Sequence, residues 1–135
     1  MADARLRVAR EFLEDAKLCL DNDRFRSAVS RAYYGAFHAC VALFEHYGYR
    51  PSHFLGRDKR PARRWEHGIV RRHFPIEFMH KRKLVDWGLA IGLRQLYESR
   101  AKADYRVDMT ISETMARSSF EEAQRLIEVI EGRVI

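Results

Sequence analysis

The stretch Ser30-Arg31-Ala32-Tyr33-Tyr34-Gly35-Ala36-Phe37-His38-Ala39 decides the reading of this chain. Around it, Phe25, Ala28, Val29, Ala32, Ala36, Leu43 and Tyr47 recur at the three- and four-residue spacing of one helical face. The stretch is therefore the middle of a helix over about 24–47, and that face is a core seam. Arg31, Tyr34, His38 and Glu45 fall on a second stripe of the same helix. Polar groups buried there without partners cost several kcal/mol. They must meet partners across a helix interface or face a cleft.

Working outward, Asp3 suits the cap of a first helix reaching about residue 21, with Leu6, Ala9, Leu13, Ala16 and Leu20 on one face. The polar turn at 21–24 is short enough to make the first two helices an antiparallel pair. Gly48 suits the end of the second helix. Pro51, Gly56 and Pro61 mark a mobile, basic loop, and a short helix over about 62–73 is expected to stop before Pro75. Another helix is expected over about 82–105. Thr110-Ile111-Ser112-Glu113 fits a capping box that opens a last helix to about 131, striped by Met115, Ala123, Leu126, Ile127 and Ile130. No alternating strand pattern or repeat occurs. The prediction is all-α: an up-and-down bundle of four to five helices, one domain over residues 1–135.

With 135 residues, 47% hydrophobic and 33% charged, the chain reads as a soluble globular domain with one core. No run approaches the roughly 18 apolar residues of a membrane span. The first residues mix charge with apolar positions and lack the apolar centre of a signal peptide. A cytoplasmic protein without a membrane contact is expected. Cys19 and Cys40 lie in apolar-periodic segments and read as buried thiols. The six histidines are scattered and no CxxC or HExxH occurs, so neither a metal nor a cofactor is expected.

The net charge of +6 favours an anionic partner such as nucleic acid, a nucleotide or an acidic protein, although a solvated basic surface has the same composition. The cations concentrate in 49–74 and in His80-Lys81-Arg82-Lys83. Within the loop at 49–64, Arg57, Lys59, Arg60, Arg63 and Arg64 are the candidate nucleic-acid contacts. One further segment matches the polar stripe of the second helix. Arg100 and Asp104 are a helical turn apart there, with Tyr105 beside them. The two sets are expected to meet in a cleft between the second and fourth helices, either as a site or as a network that fixes helix register. As a site, His38 would act as general acid or base and Arg31 or Arg100 as a phosphate clamp. Tyr34 and Tyr105 would donate hydrogen bonds or stack on a base.

The segments DRFRSAVSRAYYGAFHACVALFEHYG, WEHGIVRRHF, LRQLYESRAKADY (with an R-x-x-x-D-Y signature) and FEEAQRLIEVI resemble, in order and spacing, the small stand-alone prokaryotic members of the HEPN domain family. The resemblance implies a bundle of four to five helices, usually dimeric. In HEPN ribonucleases an arginine, a polar residue and a histidine form the site where two copies meet. Many small members are toxins encoded beside a minimal nucleotidyltransferase antitoxin. Here Asp104 and Tyr105 stand where the ribonuclease pattern carries histidine, while Arg31 and His38 keep an Arg–x6–His spacing on the second helix. His67 also matches the family pattern and is assigned to a helix start or an interface. The resulting expectation is a toxin-like, metal-independent RNA endonuclease, homodimeric and paired with a nucleotidyltransferase. A non-catalytic module for RNA or nucleotide, or a docking partner of the nucleotidyltransferase, are the readings from other classes.

Overall fold

The apolar stripe at the start of the chain becomes the inner face of helix α1 (Ala2–Asp21), where Ala9, Leu13, Ala16 and Leu20 are buried. Asp23, in the left-handed region at φ 59°, reverses the chain after three residues. Helix α2 (Phe25–His46) follows, and every residue from Ala39 to Phe44 is buried. A helix apolar on all sides belongs at the centre of a bundle. Gly35 lets α1 approach closely, since a Cβ there would lie 3.1 Å from the carbonyl oxygen of Ala9. Gly48 ends the turn after α2 at φ 83°, as its position in the sequence predicts.

The computed structural model describes residues 2–134. Three further helices complete an all-α bundle: α3 (His67–Phe74), α4 (Trp87–Tyr105) and α5 (Glu113–Val134). Ala123, Leu126, Ile127 and Ile130 of α5 join α1 and α2 in the main core. Arg10 of α1 forks onto Glu131 of α5, with Nε 2.9 Å from Oε2. Among the described residues no helix is long and apolar enough to cross a membrane. Cys40 is buried, Cys19 half-buried, and both thiols are free.

Several boundaries differ from expectation, beginning with Asp3, which lies inside the first turn of α1 rather than capping it. Helix α3 starts at His67 rather than 62, because Ala62 is held in the loop by its N–H on the Phe54 carbonyl, 3.0 Å. Pro75 does not stop the chain from coiling: at φ −63° it opens a π-helical turn, Pro75–Lys81, that buries Phe78 behind Phe74. Helix α4 starts at Trp87 rather than 82. Lys83 is left-handed at φ 54°, the Leu84 and Val85 amides turn to the Phe78 carbonyl, and Asp86 caps the helix by accepting the Leu89 amide at 2.8 Å. The cap of α5 is Ser112, whose Oγ accepts the Met115 amide at 3.1 Å, and not Thr110.

The basic loop is also more closely held than its prolines suggest. A 3-10 turn at Pro51–His53 and an isolated bridge between Leu55 and Pro61 shape it. Phe54 and Trp65 pack on Phe44 of α2, with ring centroids 5.7 and 5.1 Å away. The Tyr49 hydroxyl donates to the buried Glu77 carboxylate, and Arg57 N–H donates to Glu66 at 3.0 Å. The five candidate cations of the loop nevertheless all point to solvent.

Candidate functional site

Helix α4 crosses α2 with Arg100 on its inner side, 8% exposed. Its guanidinium lies among three phenol rings, those of Tyr33, Tyr34 and Tyr105, at 5.6, 5.4 and 5.3 Å from the ring centroids. Nη2 donates to the hydroxyls of Tyr34 at 2.8 Å and Tyr105 at 3.3 Å. Nε is 2.9 Å from Asp104 Oδ2, an ion pair by distance, yet its N–H is not aimed at that oxygen and has no hydrogen-bond acceptor. Burial works against the charge, but Tyr34, Tyr105 and Asp104 outweigh it and hold the arginine protonated more firmly than usual. The cluster therefore contains a permanent cation whose buried Nε–H has no acceptor.

One histidine, His67, feels the charge of this cation, and a second, His38, lies a helical turn beyond Tyr34 on α2. His67, the first residue of α3, places Nδ1 2.8 Å from the Tyr33 hydroxyl and its ring 4.6 Å from Phe37. Burial, then the nearby Arg100 charge, lowers its pKa. His38 stacks on Phe12 of α1 at 5.4 Å and 9° between planes, and its Nδ1 lies 3.3 Å from Arg5 Nη1. Burial, then Arg5, then His67 lower its pKa. Both rings are thus neutral at pH 7.

The partners separate the two histidines chemically. Arginine only donates, so Nδ1 of His38 accepts and the ring proton sits on Nε2. His38 presents a donor. The Tyr33 hydroxyl can accept, so His67 can donate from Nδ1 and leave the lone pair of Nε2 free. Burial pushes the Tyr33 phenol well above its ordinary pKa, so it remains a hydroxyl. In the tautomer that donates from Nδ1 to Tyr33, His67 keeps a free Nε2 lone pair that can take a proton.

Beside the cluster, a groove of about 620 Å³ runs between α2 and α4, with Phe12, Arg31, Tyr34 and Asp104 in its wall. Arg31 is exposed above Phe12, 5.8 Å from the ring centroid. At its end Arg26 of α2 clamps the last turn of α4, donating to the carbonyls of Ala103 (2.5 Å), Lys102 (3.4 Å), Arg106 (3.3 Å) and Met109 (2.5 Å).

The structure thus puts Arg31, Tyr34 and Asp104 on one groove and binds Arg100 to Tyr34 and Tyr105. His38 sits one helical turn beyond Tyr34 and is held by Arg5 rather than by Arg100. Arg57, Lys59, Arg60, Arg63 and Arg64 stand on the loop, outside this groove. Sequence reasoning passed over Tyr33, Arg5 and Arg26 and gave His67 a structural part. Arg26 and His67 open their helices' first turns, which only tertiary contacts can mark as part of a site; Tyr33 reads as one more core aromatic. No group of three or more histidine, cysteine or acidic side chains suited to a metal occurs among the described residues.

Residues 2–56, which carry α1, α2 and the Arg5–His38 contact, match the family model of the HEPN domain. A protein of Methanocaldococcus jannaschii named "Putative toxin MJ0605" is 30% identical over 128 residues, covering 94% of this chain and 84% of that protein. A "UPF0332 protein" of Thermotoga maritima is 31% identical over 125 residues, again with 84% of its length covered. The domain match, the helical bundle and a relative aligned along nearly the whole chain agree, and the chain belongs to the HEPN domain family.

Proposed function

We propose that this HEPN protein is toxin-like and cuts RNA without a metal, using the cluster around Arg100. The observation that carries the reading is a buried arginine held by the Tyr34 and Tyr105 hydroxyls, with His67 on Tyr33 beside it and His38 one turn away on Arg5. In this scheme His67 takes the proton of a ribose 2′-hydroxyl, whose oxygen attacks the adjacent phosphorus. Arg100 and the Nε2–H of His38 face the charge that develops on the phosphoryl oxygens. The 5′-oxygen departs with the proton of Tyr105, which is 68% exposed and oriented by Arg100, and imidazolium His67 returns a proton to the tyrosinate through water. The products are a 2′,3′-cyclic phosphate and a 5′-hydroxyl. Arg31 and Asp104 would position the strand along the groove, and Tyr34 would hold Arg100 in place.

The kinship with a candidate toxin of M. jannaschii supports the toxin-like part of the reading. The family pattern supports a homodimer with two such clusters, restrained in the cell by a nucleotidyltransferase partner. The test is incubation of the purified protein with end-labelled RNA in EDTA. Cleavage leaving cyclic phosphate ends is expected, abolished in His67→Gln and Arg100→Gln, with His67→Gln keeping its melting temperature. Bound but intact RNA would instead assign a binding module. Neither binding nor cleavage, with growth arrest that needs only the partner surface, would assign a docking protein.

A further inference from the structure

On the side of α4 away from Arg31, a second groove of about 410 Å³ lies against α3 and the π-helical turn. Its floor is apolar, with Met79, Ile91 and Leu93, and Trp87 stands at its mouth. Trp87 is 65% exposed, whereas nearly every other aromatic ring of the described chain is packed; Tyr105, in the cluster above, is the other exposed one. A tryptophan left in water at the head of a helix costs apolar surface without serving the core.

Charge and continuity say what covers it. The groove is ringed by Arg71, Arg94 and His80 against a single acid, Glu98, already paired with Arg94 at 3.4 Å. Arg71 also lines a broader groove of about 850 Å³ beneath the basic loop, with Arg57, Arg72 and His53. A polyanion following these cations is led to Trp87. At its inner end the smaller groove is walled by Tyr97, with Arg71 at 4.0 Å above its ring. The other side of Tyr97 meets Tyr33 edge-on at 5.8 Å, and Tyr33 holds His67. The groove is thus one ring away from the cluster assigned to cleavage.

We infer that the Trp87 groove seats an unpaired nucleobase of single-stranded RNA, stacked on Trp87, while Arg71 and the loop cations hold the neighbouring phosphates. The inference rests on the RNA reading above and adds to it a base-binding pocket beside the scissile bond. Planar bases stack on exposed aromatics irrespective of sequence, so the pocket selects unpaired strands over duplex.

The protein has two tryptophans, so Trp65→Phe leaves Trp87 as the sole tryptophan reporter. This variant is titrated with uridine and adenosine oligoribonucleotides of about 12 residues, within the site sizes such grooves cover. Binding is followed in parallel by anisotropy of the labelled strand. Quenching of Trp87 on binding is expected. Trp87→Ala is expected to weaken binding about tenfold or more and Trp87→Phe much less. The salt slope stays unchanged in both, because no cation is removed. RNA that binds with full affinity to Trp87→Ala and leaves the Trp87 emission unmoved overturns the inference while the RNA reading stands. Absence of any RNA binding overturns both. If Trp87→Ala leaves RNA affinity intact but splits an oligomer in sedimentation, the groove is a protein contact and the inference fails. Trp87 lies outside the core, so a native circular dichroism spectrum is expected throughout.

Discussion

Helices α1, α2 and α5 meet through small residues, with Ala9, Ala16, Ala32, Ala36 and Ala123 all at 0% exposure. The segment from Tyr49 to Tyr105 is built differently. Phe44 of α2 carries a fan of aromatic rings there, Tyr49, Phe54, Trp65 and Phe78, all within 5.8 Å between centroids. The first region is close-packed backbone against backbone, and its helices have little freedom. The second spans wider gaps with large rings and cationic side chains, leaving grooves on both sides of α4. The difference teaches where chemistry can be placed in a small bundle: at the seam, where rigid α2 supplies the aromatic floor and the looser half supplies Arg100 and His67.

The comparison breaks first at Phe44, which belongs to both regions. Phe44→Ala should cost about 3–5 kcal/mol, the usual loss for a buried phenylalanine, because the fan of rings loses its hub. Urea unfolding measures it. A cost below about 1 kcal/mol would mean that the two halves are stabilised independently.

Arg26 sharpens the comparison with a smaller effect. Arg26→Ala frees the carbonyls at the end of α4, for an expected loss of about 1–3 kcal/mol. RNA cleavage should fall further than the folded fraction does, since Tyr105 sits in the clamped turn. Arg26→Lys should recover stability in part and cleavage less, as one ammonium cannot reach the fork's acceptors.

A third effect is one of pH. His38 and His67 are depressed below the ordinary imidazole value of 6.5, chiefly by burial. The unfolded chain therefore binds protons near pH 6.5, whereas the folded chain binds them only at lower pH. Stability is fully present above pH 6.5 and is lost as pH falls through the folded values. The melting temperature should drop on going from about pH 7 to pH 5, and drop less in the His38→Gln/His67→Gln double variant. An identical decline in both would place the acid sensitivity outside the seam.

How much of this was legible follows the same division. The core stripes of α1, α2 and α5 could be read because small and aliphatic residues repeat at helical spacing. Gly48 announced its own turn. The boundaries of α3 and α4 could not, because they depend on long-range bonds: Ala62 on Phe54, and Leu84 and Val85 on Phe78. The site divides likewise. Arg100, Asp104 and Tyr105 stood out because charge within a helical stripe demands a partner. Arg26 and His67 lie at helix starts, where polar residues are ordinary, and only the fold reveals what they hold.

The Arg26 clamp also bears on the order in which the molecule is assembled. Its four acceptors lie 76 to 83 residues downstream in the chain. The α1–α2 hairpin can close from neighbouring sequence alone, but its guanidinium meets its first acceptor only at residue 102 and its last at residue 109. Fraying at the end of α4 then exposes a charge on α2 as well as a helix terminus. The last turn should accordingly open less often than an unclamped helix end, and its amides should exchange faster in Arg26→Ala than in the unaltered chain.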